Sequence, residues 1–313
     1  MRDSYRQYIA GCILLAVSNW AGAGTLSGLL AGYQTVRAEG RSAHVVDIDN
    51  DTLLLNRNDG FYTSGMRYAY TQTLERGSQA TTFGWRVGQE LYTASDIKLP
   101  PALIGPPNHP YAGWLYGGFF KEVADADGTH TRIGIDLGCL GPCAGGDWTQ
   151  TTFHRILHQP LPQAWSKQVR NEVGVVLYAD VAPIRWSPAS HMDVTPSLNG
   201  RFGNIFADVG AGLLVRAGQL SNLPTKSTFY GFLRTDARAV GYNATLQGGY
   251  FSRNNPHTVD PRRFVGEAEA GVVWNRGVFG ARMSLVRRSN EIRELANSIG
   301  AQSYLHLQFS YTP

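Results

Sequence analysis

HVVDIDNDTLLLNRNDGFYTSGMRYAYTQTLE, residues 44–75, decides how the rest of the chain is read. Residues 44–51 read as a short strand ending in an acidic turn, and 61–74 as a long alternating strand. In the second, Tyr62, Ser64, Met66, Tyr68 and Tyr70 share one face, and Thr63, Gly65, Arg67, Ala69 and Thr71 share the other. That two-residue period belongs to a strand with one apolar and one polar side. Between the two lies a loop, 52–60, carrying Asn56, Asn58 and Asp59. Polar groups are thus expected to gather near Asp49, Asn50, Asp51 and Thr63.

The same pattern recurs outward from this stretch. Strands are expected over 80–93, 111–123, 129–137, 168–184, 191–201, 204–215, 226–240, 264–274, 278–288 and 302–312, which makes twelve. Asp127-Gly128 and Asn275-Arg276-Gly277 are hairpin signals. Residues 96–110 carry too many prolines for a central strand or helix interior and read as a long outer loop. After a glycine-rich turn at 138–146, Asp147 is placed to cap a helix over 148–158 with Gln150 as its capping-box partner. A second short helical piece is expected at 161–167.

An unbroken apolar face on nearly every strand has two resolutions. A soluble sandwich buries those faces, whereas a membrane barrel turns them toward lipid and fills its lumen with Arg, Asp, Glu and Gln. The even strand count, strand lengths near ten residues, 36 glycines, 15 tyrosines and 7 tryptophans favour the barrel. A mean hydropathy of -0.22 is not that of a helical membrane protein. The expected architecture is all-β, a twelve-stranded antiparallel transmembrane barrel with one short helical excursion. In that barrel Leu305, Leu307, Phe309 and Tyr311 face lipid.

The N-terminus has Arg2 and Arg6 before a short apolar run, with Ala21-Gly22-Ala23 as an acceptable cleavage site. Residues 1–38 are therefore read as an export signal and an ill-defined segment, with the barrel domain over 42–313. Cleavage is expected between Gly24 and Ser42. The net charge of +4 is spread over scattered arginines with only Lys98, Lys121, Lys167 and Lys226 as lysines. Without a dense basic patch, nucleic acid is not an expected partner. Cys12 leaves with the export segment, while Cys139 and Cys143 are expected in a turn at the membrane rim, close enough to bridge.

Two groups carry candidate chemistry. His154 sits on the polar helix of an otherwise β protein and suits a general base near neutral pH. A surface histidine bonded to a loop is its ordinary alternative. His158 is one turn further on, but HRILH lacks the glutamate of H-E-x-x-H. Asp47, Asp49 and Asp51 share one strand face and need a cation or arginines to offset their repulsion. The D-x-D-x-D opening does not complete a calcium loop, because Thr52 stands at position six and Asn58 at position twelve. No G-x-S-x-G elbow is present, so His154 is better suited to activate water than a serine.

Taken together, DND followed by GFYTSG, GQELYTASD, IGIDLGCLGPCAGG, the FHRI helix and YNATLQGG resemble the outer-membrane lipid A 3'-O-deacylase family. The resemblance covers roughly 44–312. It implies an outer-membrane barrel that hydrolyses the ester of the 3'-acyloxyacyl chain of lipid A and requires calcium. Carried onto this chain, it implies catalytic roles for His154, Asn50, Asp51 and Thr63, with Arg155 beside the histidine. Calcium is expected at Asp51 with Asp49, and Lys98 is expected to meet a lipid phosphate. Lipid A is the implied partner and a monomer the expected state. An outer-membrane phospholipase and a passive porin-like barrel are the alternatives. One departure stands out: His158 occupies a position where the family pattern expects glycine or another small residue.

Overall fold

The computed structural model describes residues 26–51, 61–223 and 226–313. The loop 52–60 and most of the expected export signal lie outside the described residues. Thirteen strands are present: β1 Arg41–Asn50, β2 Phe61–Arg76, β3 Gln79–Thr93, β4 Ala112–Asp125, β5 His130–Leu140, β6 Glu172–Ala182, β7 Trp186–Ala189, β8 Met192–Gly203, β9 Phe206–Gln219, β10 Thr228–Asn243, β11 Phe264–Arg276, β12 Phe279–Arg288 and β13 Gln302–Tyr311. Four helices punctuate them: α1 Leu26–Glu39, α2 Gly146–Ile156, α3 Ala244–Gln247 and α4 Asn297–Gly300.

The strands are antiparallel neighbours, β1 pairs with β13, and β6 pairs with β8. That last pairing closes the wall. The four-residue β7 only extends the end of β8, so the barrel itself has the expected twelve strands. Closure leaves no unpaired strand edge in the wall, the condition for placing backbone amides in hydrocarbon. Short turns at Gly77, Gly128 and Gly277 mark one rim, and the long loops all leave the other.

The faces fall as the alternation predicts. Trp85, Val87, Leu137, Leu233, Phe309 and Tyr311 are exposed on the outer wall. The lumen is lined by ion pairs: Arg86 grips Asp136 at 2.9 and 2.6 Å, Arg216 grips Asp193 at 2.9 and 2.7 Å, and Arg288 reaches Glu267 at 2.7 Å. A lumen cavity of about 420 Å³ lies among Arg67, Arg86, Glu90, Asp136, Arg201 and Asp208.

Three local expectations are corrected. Asp147 does not cap α2. The helix begins two residues earlier, after Gly145 at φ +69, and Asp147 accepts from Thr151 Oγ1 inside the first turn. Glycine wins there because Gly146 packs so tightly that a Cβ would come within 2.6 Å of Trp165. The second helical piece is only a single 3-10 turn, Trp165–Lys167. Finally, β2 carries a bulge between Tyr62 and Ser64. Tyr62 therefore turns into the lumen, where its hydroxyl donates to Asp49 at 2.7 Å, away from the face of Tyr68.

Candidate active site at the loop-bearing rim

At this rim the chain puts different chemistry on the two sides of its wall. On the lumen side, Asp49 Oδ2 accepts from Tyr62 at 2.7 Å and from Arg67 at 2.8 Å, and Oδ1 faces His306 Nδ1 at 2.5 Å. Gln308 donates to the neighbouring Asp47 at 2.8 Å. The acidic run is thus neutralised by lumen donors, and both oxygens of Asp49 are committed. Gly65 makes room for this network, since a Cβ there would lie 2.0 Å from the Tyr62 hydroxyl.

On the outer side, Asn50 ends β1 opposite Ser64 of β2 and Leu305 of β13. The bulge carries Thr63 out of the lumen phase. Its hydroxyl meets that of Thr93 at 2.7 Å, and both residues are buried. Thr93 is seven residues from the lumen-facing Arg86 along an unbroken strand register, so it belongs to the outer face. Asp51 follows in a bend and is 5% exposed.

The cover over this outer face comes from the segment after β5. Cys139 and Cys143 are joined in a disulfide, with Cα atoms 6.0 Å apart, in the expected rim turn. Gln89 Nε2 then donates to Ala144 O at 2.6 Å. Gly146 sits against Leu91 and Trp165. Both Gln89 and Leu91 belong to the outer phase of β3, so α2 starts on the outside of the wall. Its inner face buries Thr149, Gln150 and His154, and its other face exposes Trp148, Phe153, Ile156 and Leu157.

His154 is 7% exposed, and its Nδ1 lies 2.6 Å from the carbonyl of Pro160. A carbonyl only accepts, so Nδ1 carries the hydrogen and Nε2 the lone pair of the neutral ring. The chain achieves this by turning sharply after the helix. Gln159 N donates back to His154 O at 2.8 Å, and His158 takes a left-handed φ of +55. That backbone position favours glycine, which is the physical content of the family departure at His158. His109, also buried at this rim, stacks on Tyr92 with its Nδ1 on Pro110 O at 2.6 Å. Burial pushes it down to about 4, so it is a neutral packing group.

The structure therefore brings Asn50, Asp51, Thr63 and the α2 segment with His154 to one rim. Arg155, one residue on, is exposed on a different helix face, and Lys98 is exposed in the loop after β3. Gln150 is a residue the sequence reading missed as a site group. It lies four residues before His154 on the same face, accepts from Trp165 Nε1 at 2.8 Å, and has a buried Nε2 without a hydrogen-bond partner among the described residues. Its i, i+4 spacing from His154 was the available signal, obscured by assigning it to a capping box.

The family model for outer membrane protein LpxR matches residues 9–312. The chain belongs to the LpxR family. Among solved structures, LpxR from Salmonella typhimurium aligns with a TM-score of 0.70 at 21% identity, covering 86% of this chain and 99% of that one. The β domain of the Bordetella autotransporter Brka aligns with a TM-score of 0.47 at 11% identity, over 87% of this chain and 98% of that one. No curated protein sequence matches. Membership of the LpxR family makes this an outer-membrane barrel enzyme that acts on lipid A.

The donors available to a cation at this site, among the described residues, are mainly neutral oxygens. Among the described residues no cluster of three or more His, Cys, Asp and Glu side chains could hold a metal. The oxygens that end β1, the Asp51 carboxylate and the Asn50 amide, with hydroxyl and backbone carbonyl oxygens nearby, suit calcium rather than zinc.

Proposed function

We propose that this LpxR-family protein is a calcium-dependent ester hydrolase that removes the 3'-acyloxyacyl group of lipid A. The observation that carries the reading is the fixed tautomer of His154, held by Pro160 O at 2.6 Å on a helix that packs against the outer wall at the loop-bearing ends of β3 and β4. A buried base on the lipid side of a barrel fits a substrate that resides in the membrane. The lumen cavity is on the other side of the wall, and the five arginines and four acidic residues in its lining suit an acyl chain poorly.

His154 Nε2 takes a proton from water as the water oxygen adds to the ester carbonyl carbon. The bond from that carbon to the sugar oxygen then breaks. His154 returns its proton to the departing oxygen, leaving a sugar hydroxyl and a free acyloxyacyl acid. Calcium, when bound by Asp51 and Asn50, supplies positive charge for the ester oxygen. Thr63 orients Asn50 or the water through its place on the outer face. Gln150 offers a buried amide N–H to the same space. Asp49 is not among the proposed ligands, because its oxygens serve Tyr62, Arg67 and His306. Arg155 and Lys98, both exposed, are positioned for lipid phosphates rather than for the reacting bond.

The passive-barrel alternative is disfavoured by the loops across the mouth. Glu172 accepts backbone N–H groups from Tyr250, Phe251 and Ser252 at 2.9, 2.9 and 2.8 Å. From there the loop reaches Asn108 through His257, and Leu246 and Val259 bury against Phe61 and Ile292. The test is mass spectrometry of lipid A from cells with and without the protein, with and without a calcium chelator. Loss of the 3'-acyloxyacyl mass that the chelator prevents supports the reading. Unchanged lipid A with hydrolysed phospholipid would assign the machinery to a phospholipase instead.

A further inference from the structure

One lipid-facing side chain is buried where the wall gives no reason for it. Phe83 lies on the outer face of β3, two residues before Trp85 in the same phase. Trp85 is 54% exposed, but Phe83 only 3%. What covers Phe83 is α1. The Tyr33 ring packs edge-on against Phe83 at 5.5 Å and Phe119 at 5.9 Å, and Gly32 lies over the Phe83 ring.

The helix is tied down at its other end. Val36 is 3% exposed, Gln72 Nε2 donates to Arg37 O at 3.3 Å, and Glu39 pairs with Arg76 at 2.7 Å. Tyr33 thus touches β3 and β4, while Arg37 and Glu39 touch β2. The helix runs across the strands, along the plane of the membrane, at the rim opposite His154. Its level is marked by the aromatic cluster of His44, Tyr68, Tyr70 and Tyr311 on the neighbouring strands. Such girdles sit at the membrane–water boundary. Lys121 of β4 lies on the same outer face, its ammonium 5.9 Å from the Phe83 ring, where a phospholipid phosphate would be met.

Leu29 continues the wall-facing stripe of Gly32, Tyr33 and Val36 toward the start of α1 and is 38% exposed there, and Leu30 on the adjoining flank is 53% exposed. These residues continue the apolar belt of the barrel onto the helix. We propose that residues 26–39 stay on the mature protein and that α1 is an interfacial helix, seating the barrel in phospholipid with Leu29 and Leu30 at the acyl boundary. A helix lying in that plane binds through buried apolar area and basic flanks. The export signal is then cleaved before Leu26, near the early end of the window the sequence allows. This inference is independent of the hydrolase reading.

The experiment starts with the intact mass and N-terminal sequence of protein purified from outer membranes. An N-terminus at or before Leu26 is expected, and one after Leu26 overturns the proposal. Leu30→Cys and Asp127→Cys proteins, each carrying a polarity-sensitive fluorophore, are then placed in phosphatidylethanolamine–phosphatidylglycerol vesicles. Asp127 is in the β4–β5 turn of the same rim and is exposed, which makes it the aqueous control. The Leu30 probe should be blue-shifted, quenched several-fold more by acyl-brominated lipid than the Asp127 probe, and protected from iodide. Iodide quenching equal to that of Asp127 overturns the membrane contact. Self-quenching that rises with protein density, without lipid quenching, assigns the face to a second copy instead and equally overturns it.

Discussion

Asp49 and Asn50 are neighbours in the chain and stand on opposite sides of the barrel wall. Asp49 belongs to a lumen network whose every partner is a protein donor: Tyr62, Arg67 and His306. Asn50 belongs to the outer face, opposite Ser64, at the same rim as the helix that carries His154. The two regions are built with different aims. The lumen side pairs its charges and packs the inside of the wall, while the outer side holds His154 with its Nδ1 fixed on Pro160 O, where the proposed reading brings a membrane-borne ester. The density of acidic residues in DIDND is therefore a poor guide to chemistry, because strand alternation sends successive residues to separate compartments.

Removing the base is the change with the largest expected effect. His154→Ala should lower acyl release by about 10²- to 10⁴-fold, the range a positioned general base supplies. The barrel should stay folded, since His154 stands on α2, outside the strand ladder that closes the wall. Folding is checked by heat-modifiable migration, and activity by lipid A mass spectrometry. Wild-type acyl release by the folded variant would remove His154 from the mechanism.

The next pair of changes sets the two sides against each other. Asp51→Asn should cut activity about a hundredfold by weakening calcium, and excess calcium should restore part of it. Asp49→Asn should do the reverse, leaving turnover nearly intact while destabilising the barrel by about 3 kcal/mol, because Arg67 is left in the wall without its carboxylate. Denaturant midpoints in detergent and calcium titrations of activity separate the two outcomes. If Asp49→Asn raised the calcium requirement at unchanged stability, the metal would lie on the lumen side and the comparison would fail.

Much of this was legible in the sequence, and the limits have physical causes. Alternation in β3, β5 and β13 marked their faces because Phe83, Trp85 and Val87, Ile133, Ile135 and Leu137, and Leu305, Leu307 and Phe309 alternate with Gly, Arg, Asp, His and Gln. It failed at Tyr62–Thr63, where a bulge inserts one residue and YTS offers hydroxyls to either face, so no pattern marks the slip. The position of His154 on a helix was readable from glycines and a following proline. The capping role given to Asp147 was not borne out, since Gly145 takes the N-cap with a left-handed φ of +69 and Gly146 packs closely on Trp165. Helix α1 was hidden because its leucines merge with the apolar run of the export segment.

Thr63 gives the smallest and sharpest test, because it sits where the two sides are separated by a single inserted residue. Its hydroxyl shares a proton with Thr93 at 2.7 Å on the outer face, buried from water. Thr63→Ser keeps that bond and should leave activity within about twofold of wild type. Thr63→Val keeps the shape but leaves the Thr93 hydroxyl only its bond to Ala94 O at 3.3 Å, a loss of about 1 kcal/mol for one neutral hydrogen bond. If Thr63 only packs the rim, the loss appears in stability alone. If it orients Asn50 or water on the outer face, turnover should also fall about fivefold, with the pH profile unchanged because His154 is intact. A lumen role predicts something else: Thr63→Val would then disturb the Tyr62–Asp49 contact and behave like Asp49→Asn. Comparing the two variants in the same denaturation and turnover assays decides which side of the wall this threonine serves.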